Sequence, residues 1–403
     1  MQTLKIGILA PEFPPIIGGM HTYAVNLSRE LQRRGHEIHI FARTGTNDSS
    51  EVEDLTVHRI LTGDSWADRK ILDTWDMDVW HAINSAYSIA SLYKPRVFVS
   101  IHGKDFVNPW LHPHLRVKIF STLKNFPYIW RFNWRAADAL IERLVIKFLI
   151  HYGYRKAKKI FANSSYTAKR FNKKHPGNAK KINITYAGVE PSFFEVPRRS
   201  NGKKKRILTV SRLSCLSTLK NVDKIIIALG TLRNKYDFEY VIVGDGTLRI
   251  ELEKLAKKCG IGDRVRFLGF ISTVALREIY GSSDIFVLAS SENEDDFEGF
   301  GIVYIEANAA GIPVLACRQG GAIDAVEEDI SGMFVDTPSE DEIADKLEQF
   351  LSGELHFNES EIRQHARKFL WAKIVNEIEL NYFKAINGQN STTLSYKRLL
   401  KIS

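Results

Sequence analysis

The sequence predicts an α/β protein built from two doubly wound parallel-sheet domains, and three observations carry that expectation. Apolar runs rich in β-branched residues alternate with helix-period segments along nearly the whole chain. The runs are close to continuously apolar, as strands covered on both faces are. They fall into two series, parted by the Pro-, Gly- and charge-rich stretch "GVEPSFFEVPRRSNGKKKR" around residues 188–205. The length of 403 residues also exceeds what one ordinary core supports.

The first series reads "KIGILA", "EIHIFA", "VWHAI", "VFVSIH", "KIFAN" and "INITYA". Between its first two strands Met20, Ala24, Leu27 and Leu31 recur at helical spacing, and Gly35 closes the helix. The second series reads "RILTVS", "YVIVGD", "VRFLGF", "DIFVLAS", "IPVLAC" and "GMFVD". Late in the chain "FLWAKIVNEIELNYFKAI" has the period of an amphipathic helix, with Trp371, Ile374, Ile378 and Tyr382 on one face. Two segments break the rhythm: an aromatic and basic insertion over 108–154, and a polar, basic tail over 389–403.

With 44% hydrophobic and 26% charged residues the composition is that of a soluble globular protein. The N-terminal apolar run is a first strand and not a signal peptide, and no run approaches the ~18 apolar residues of a membrane span. Cys215, Cys259 and Cys317 are scattered and lack metal-ligand spacing, which suits reduced, buried thiols in the cytoplasm. The net charge of +9 is concentrated: Lys104 to Lys181 holds 18 Lys and Arg against three acids, so the rest of the chain is net acidic. Such a block is the footprint of a phosphate-rich partner.

In open α/β sheets ligands gather at the carboxyl ends of strands, so the residues following each strand are the candidates. After the first strand, Gly18 and Gly19 open a helix whose amides can meet a phosphate, although an ordinary strand-to-helix turn fits as well. After "VFVSI" comes His102, able to hydrogen-bond a ligand or to serve structure alone. Arg212 leaves the end of "RILTV" and Lys220 precedes the next helix. Two cations converging on one cleft suit a diphosphate, the forked guanidinium and the point-like ammonium each in its own way. "EGFGIVYIE" then places Glu298 before a helix starting near Gly301, with Phe300 and Ile302 supplying backbone amides at its N-terminus. Glu306 lies one turn inside, among apolar neighbours. A carboxylate accepting from two vicinal hydroxyls would explain an acid there. "GDGT" lacks the full dinucleotide fingerprint, and no P-loop is present.

The segments "PPIIGG", "SIHGKDF", "ITYAGVEPSFF", "VSRL…LKNVDKIIIAL", "VIVGDGTLRIELEKLA", "VRFLGF" and "EGFGIVYIEANAAGIPVLA" together resemble family 4 retaining glycosyltransferases of the GT-B fold, in order, over about residues 4–385. The resemblance implies two Rossmann-like domains facing across a cleft. An acceptor-binding domain would cover 1–195, rejoined by the helix over about 371–388, and a nucleotide-sugar domain 196–370. It implies that Glu298, Phe300 and Gly301 bind the donor sugar and Glu306 the ribose. Arg212 and Lys220 would hold the diphosphate with Gly19 assisting, and His102 would contact the transferred sugar. It further implies transfer of a hexose of mannose or glucose type, with retention and without metal or cofactor, from a GDP- or UDP-linked donor to a glycan or lipid-linked acceptor. Arg212 and Lys220 are separated by a longer loop than in many members, and Asn221 stands where the family commonly has glycine, departures that bear on the role of Lys220 more than on that of Arg212.

Asp76 and Asp78 look like a metal-binding acid pair, but they precede a strand and so lie away from any strand carboxyl end. His112-Pro113-His114 lacks a third ligand. In the insertion, Trp110, Phe120, Phe126, Tyr128, Trp130, Phe132 and Trp134 interleave with Arg116, Lys118, Lys124, Arg131 and Arg135. Nucleic acid, a solvated basic face and an anionic membrane surface all fit that pattern. Beside a glycosyltransferase resemblance the membrane or a lipid-linked acceptor is favoured over nucleic acid, with a cytoplasmic, peripheral location. A non-catalytic nucleotide-sugar-binding or scaffold protein of the same fold is the alternative.

Overall fold

A computed structural model of the chain describes residues 2–14, 18–45, 52–107, 134–199, 204–214 and 219–388, with the backbone alone at 134–139. The stretch 108–133, with His112 and His114, the tail 389–403 and Cys215 lie outside the described residues. The chain divides into two compact units. One runs to Asn163 and takes in Thr167–Thr185 and the chain from Ile374; the other comprises Ser164–Tyr166 and Tyr186–Lys373.

The first unit is a seven-stranded parallel sheet in the order β3-β2-β1-β4-β5-β6-β7. Its strands are β1 Lys5–Leu9, β2 Glu37–Arg43, β3 Val57–Leu61, β4 Val79–Ala82, β5 Val97–Ile101, β6 Lys159–Ala162 and β7 Ile182–Ile184. The central strands β4 and β5 are buried at every residue, as their unbroken apolar sequences require. Sequence patterning misses β3. Its residues "VHRIL" mix polar and apolar types, because an edge strand is covered on fewer sides and Val57 to Ile60 are only half-buried. The strand order reverses between the parallel neighbours β1 and β4, where Gly7 is opposite Trp80. A Cβ on Gly7 would sit 2.7 Å from the Trp80 ring, so only glycine lets that indole pack across the sheet.

The helix Trp371–Asn387 returns to this unit and is fixed by polar contacts at several points. Glu379 accepts from His36 Nε2 (2.8 Å) and from Arg34 (2.8 Å), while His36 Nδ1 accepts from the Leu4 amide (3.2 Å). Tyr382 pairs with the buried His81 at 2.5 Å, and His81 Nε2 with Ser100 Oγ at 2.8 Å. All these groups are buried or nearly so, and each is matched, which is what makes their burial tolerable.

The second unit is a six-stranded parallel sheet in the order β10-β9-β8-β11-β12-β13. The strands are β8 Lys205–Val210, β9 Phe238–Val243, β10 Val265–Gly269, β11 Ile285–Leu288, β12 Val314–Cys317 and β13 Gly332–Val335. Its core gathers Ile207, Ile225, Leu229, Tyr240, Val287, Leu315 and Leu347. Cys317 lies in this core and its thiol is pushed up to about 11 by burial, with Glu342 adding to it, while Cys259 is only half-buried; neither is in a disulfide. The order reverses between β8 and β11, so a ligand crevice is expected at the carboxyl ends of those two strands.

Candidate active site

Of the ten residues singled out from sequence, Gly18, Gly19 and His102 belong to the first unit and the other seven to the second. In the second unit they gather around the switch point. Arg212 is exposed just beyond the end of β8, with no ion-pair partner among the described residues. Lys220 precedes the helix Val222–Leu232, and its Nζ donates to Glu298 Oε2. Ser290, just past β11, donates to the same oxygen (3.4 Å). The loop is pinned from behind, because the Gly321 amide donates to the Glu298 carbonyl (2.7 Å).

Asn221 explains how Lys220 is aimed despite the departure from glycine. Its backbone is left-handed (φ 51°), a conformation asparagine tolerates better than most residues. Its amide nitrogen donates to Ala289 O (2.6 Å) and Ser291 Oγ (3.1 Å), tying the end of the Lys220 loop to the end of β11.

Gly301 caps the helix Ile302–Ala309 with φ 86°, and no side chain caps this helix start among the described residues. The amides at Ile302 and Val303 stay available to an anion, with the helix dipole favouring one there. A Cβ on Gly301 would fall 2.3 Å from the Tyr304 ring, whose hydroxyl donates to Leu288 O (2.9 Å). Phe300 is different in kind: its ring is buried against Tyr186 (centroids 5.4 Å) and Phe369 (5.5 Å). Its side chain anchors the turn, so only its backbone can meet a ligand.

Glu306 is half-buried one turn further on and accepts from the Tyr280 hydroxyl (3.1 Å). Burial pushes its carboxyl up to about 7; the Tyr280 bond pulls it down and the charge of Glu190 adds to the rise. The carboxylate is thus short of partners until something polar reaches it.

In the first unit, His102 lies just past β5 with its amide donating to Asp105 Oδ1 (2.9 Å) and the Tyr23 ring edge-on at 4.6 Å. Its Nε2 is buried with no hydrogen-bond partner among the described residues, while the ring donates to the Ile83 backbone. That donation must come from Nδ1, leaving Nε2 as a bare acceptor. Burial pushes the imidazole down to about 4, so it is neutral at physiological pH. Gly18 is extended and Gly19 opens the helix Gly19–Arg33 after β1. Among the described residues a Cβ on either glycine meets nothing within 4 Å.

Two known families match in tandem: Glycosyltransferase Family 4 over residues 17–193 and Glycosyl transferases group 1 over residues 193–369. The chain belongs to the family 4 glycosyltransferases. It is therefore a transferase with the GT-B arrangement of two Rossmann-like domains. An uncharacterised glycosyltransferase of Methanocaldococcus jannaschii is 26% identical over 94% of this chain and 98% of that one. A GDP-mannose-dependent α-(1-6)-phosphatidylinositol monomannoside mannosyltransferase of Mycobacterium tuberculosis is 35% identical over 47% of this chain and 51% of its own length. Among solved structures, Anabaena HepE in complex with UDP and glucose superposes with a TM-score of 0.70 at 18% identity, over 94% of this chain and 98% of that one.

Several parts of this candidate site escape sequence reasoning. Ser290 and Tyr280, the partners of Glu298 and Glu306, lie in strand-end and helix contexts that look ordinary by themselves. Asp105, within "SIHGKDF", carries no signal of its own in the sequence. It is buried, with Ser85 Oγ donating to Oδ2 (2.6 Å), and burial pushes it up to about 6. Its oxygens are occupied in shaping the His102 turn. Asp78 likewise accepts from the Lys5 amide (2.8 Å), a structural use, and no metal-binding cluster occurs among the described residues.

Proposed function

We propose that this enzyme moves a hexose of mannose or glucose type from a GDP- or UDP-linked donor to a hydroxyl of a glycan or lipid-linked acceptor, with retention and without a metal. The enzyme works as a cytoplasmic protein, peripheral on the inner face of the cell membrane, in cell-surface polysaccharide or glycolipid synthesis, with no role for nucleic acid. The observation that carries this reading is the set at the β8–β11 switch point: Arg212, the Lys220–Glu298 pair, the uncapped helix at Gly301 and the under-partnered Glu306. The names of relatives support the same donor class, one GDP-mannose-dependent and one solved with UDP.

In this reading Glu306 accepts from the ribose hydroxyls and Glu298 from the sugar. Arg212, Lys220 and the helix amides take up charge on the departing diphosphate, the electrostatic role that usually contributes most. The acceptor oxygen bonds to the anomeric carbon while the anomeric carbon–phosphate oxygen bond breaks, its electron pair leaving with the phosphate. The acceptor proton passes to that phosphate on the same face. Asp105, the buried acid beside His102, already has its oxygens engaged, so it does not supply a nucleophile. His102 Nε2 accepts from a hydroxyl of the transferred sugar.

The test is a donor screen that reads nucleoside diphosphate release with acceptor extracts, and NAD as control. Release with one UDP- or GDP-sugar is expected. Donor binding without release under every acceptor would favour the scaffold alternative, and NAD binding alone would overturn the donor class.

A further inference from the structure

The helix Trp134–Lys156 is apolar on two faces. The inner one carries Ile146, Ile150 and Tyr154, all buried. It lies so close to the turn Ser85–Leu92 that a Cβ on Gly153 would meet Ser88 O at 2.5 Å. Ser88 donates to Ile150 O (3.1 Å) and Ser91 to Gly153 O (2.5 Å) across this contact. The outer face carries Leu140, Leu144, Phe148 and Tyr152, exposed by 59, 58, 66 and 40%. Their spacing of four residues makes one continuous stripe. A helix on the surface of a soluble protein presents polar residues there, so the stripe asks for an occupant.

Charge identifies that occupant. Arg143 and Lys147 flank the stripe on one side and Lys156 on the other, all exposed, and the Lys156 ammonium lies 5.3 Å from the Tyr152 ring centroid. Glu142 is the one acid among the helix residues whose side chains are described, against Arg143, Lys147, Arg155 and Lys156. The stripe also sits within Lys104 to Lys181, which holds 18 cations against three acids. A second copy would bring the same positive surface against itself, and nucleic acid offers no apolar bed for leucine and phenylalanine.

We infer that the outer face of Trp134–Lys156 seats the enzyme on an anionic bilayer. Leu140, Leu144 and Phe148 enter the boundary of headgroups and acyl chains, and Arg143, Lys147 and Lys156 meet lipid phosphates. The surface is thus one helix in the described part of the 108–154 insertion to which the sequence pointed, and it uses none of the aromatic residues of 108–133. The inference rests on the peripheral-membrane part of the proposed function and not on its transfer chemistry.

Flotation of the full chain with phosphatidylglycerol-containing vesicles, against phosphatidylcholine vesicles, tests it. The wild type should float with the anionic vesicles only and be released by high salt. Leu144→Glu with Phe148→Glu should lower partition at least about tenfold, and Lys147→Ala alone about fivefold. Donor binding by calorimetry should be unchanged in both variants, which shows that they are folded and keeps a failure here separate from a failure of the transfer reading. Partition of the double variant equal to wild type, or equal wild-type binding to neutral vesicles, would overturn the inference. So would sedimentation showing a wild-type dimer that Leu144→Glu dissociates, which would assign the face to a second copy.

Discussion

Glu306 gives the account its sharpest exposure to measurement. If this carboxyl titrates near 7 in the free protein and must be ionised to accept from two ribose hydroxyls, donor affinity depends on its charge. At pH 6 roughly a tenth of the sites are ionised, so the donor Kd should be about tenfold weaker than its plateau above pH 8. The donor is suited to this test, since its diphosphate is esterified at both ends and does not titrate in the range. Glu306→Gln should remove the pH dependence and weaken binding by about 1.5–3 kcal/mol, the worth of hydrogen bonds to a charged group. Tyr280→Phe removes the bond that pulls the carboxyl down, so the midpoint should move upward. Stability should respond in the opposite direction. An acid raised in the folded state holds a proton that the unfolded chain has released, so the ligand-free protein loses stability as pH rises from about 4.5 to 7. Glu306→Gln should therefore stabilise it by about 1–3 kcal/mol at pH 8. Calorimetry with the nucleotide sugar between pH 5.5 and 8.5, with thermal unfolding alongside, reads both effects. A flat wild-type Kd, or a pH dependence that survives in Glu306→Gln, would refute the reasoning.

Other consequences follow from the same geometry. Gly301→Ala places a Cβ against the Tyr304 ring at a positive φ, and thermal unfolding should show a loss of about 1–3 kcal/mol. Glu379→Ala leaves Arg34 and His36 without their shared partner, and denaturant unfolding should show about 3 kcal/mol lost. His102, pushed down to about 4, should contribute no limb to the pH profile of kcat/KM between pH 6 and 9. Together with His81, at about 3, it should make stability fall as pH drops below 6.5, where the unfolded histidines take up protons that the folded ones refuse; acid titration of the unfolding midpoint checks this.

How far the sequence reached varies with the kind of signal. Strands covered on both faces announce themselves as apolar runs, which is why β4, β5, β11 and β12 could be read directly. Edge strand β3 could not, because His58 and Arg59 interrupt its pattern. Glu298 and Glu306 were visible as acids out of place beside an apolar helix. That Lys220 pairs with Glu298 was not visible, since the two are 78 residues apart and meet only through the strand order. Phe300 was visible as a backbone contributor, but that its ring anchors the turn was not, because this depends on Tyr186 and Phe369. Tyr280 and Ser290 carry no signal until the fold places them. The outer stripe of Trp134–Lys156 is hidden for the same reason, because only packing tells which of its two apolar faces is covered.

The central claim is that the cations and acids at the β8–β11 switch point hold and activate a nucleotide sugar. Its most direct test is the rate of acceptor-dependent nucleoside diphosphate release by the wild type beside Arg212→Ala and Glu298→Ala. Each folded variant should lose at least about a hundredfold in kcat: Arg212→Ala removes an oriented cation at the developing negative charge, and Glu298→Ala removes the acceptor that orients the transferred sugar. Sugar transfer at the wild-type rate in both folded variants would contradict the account.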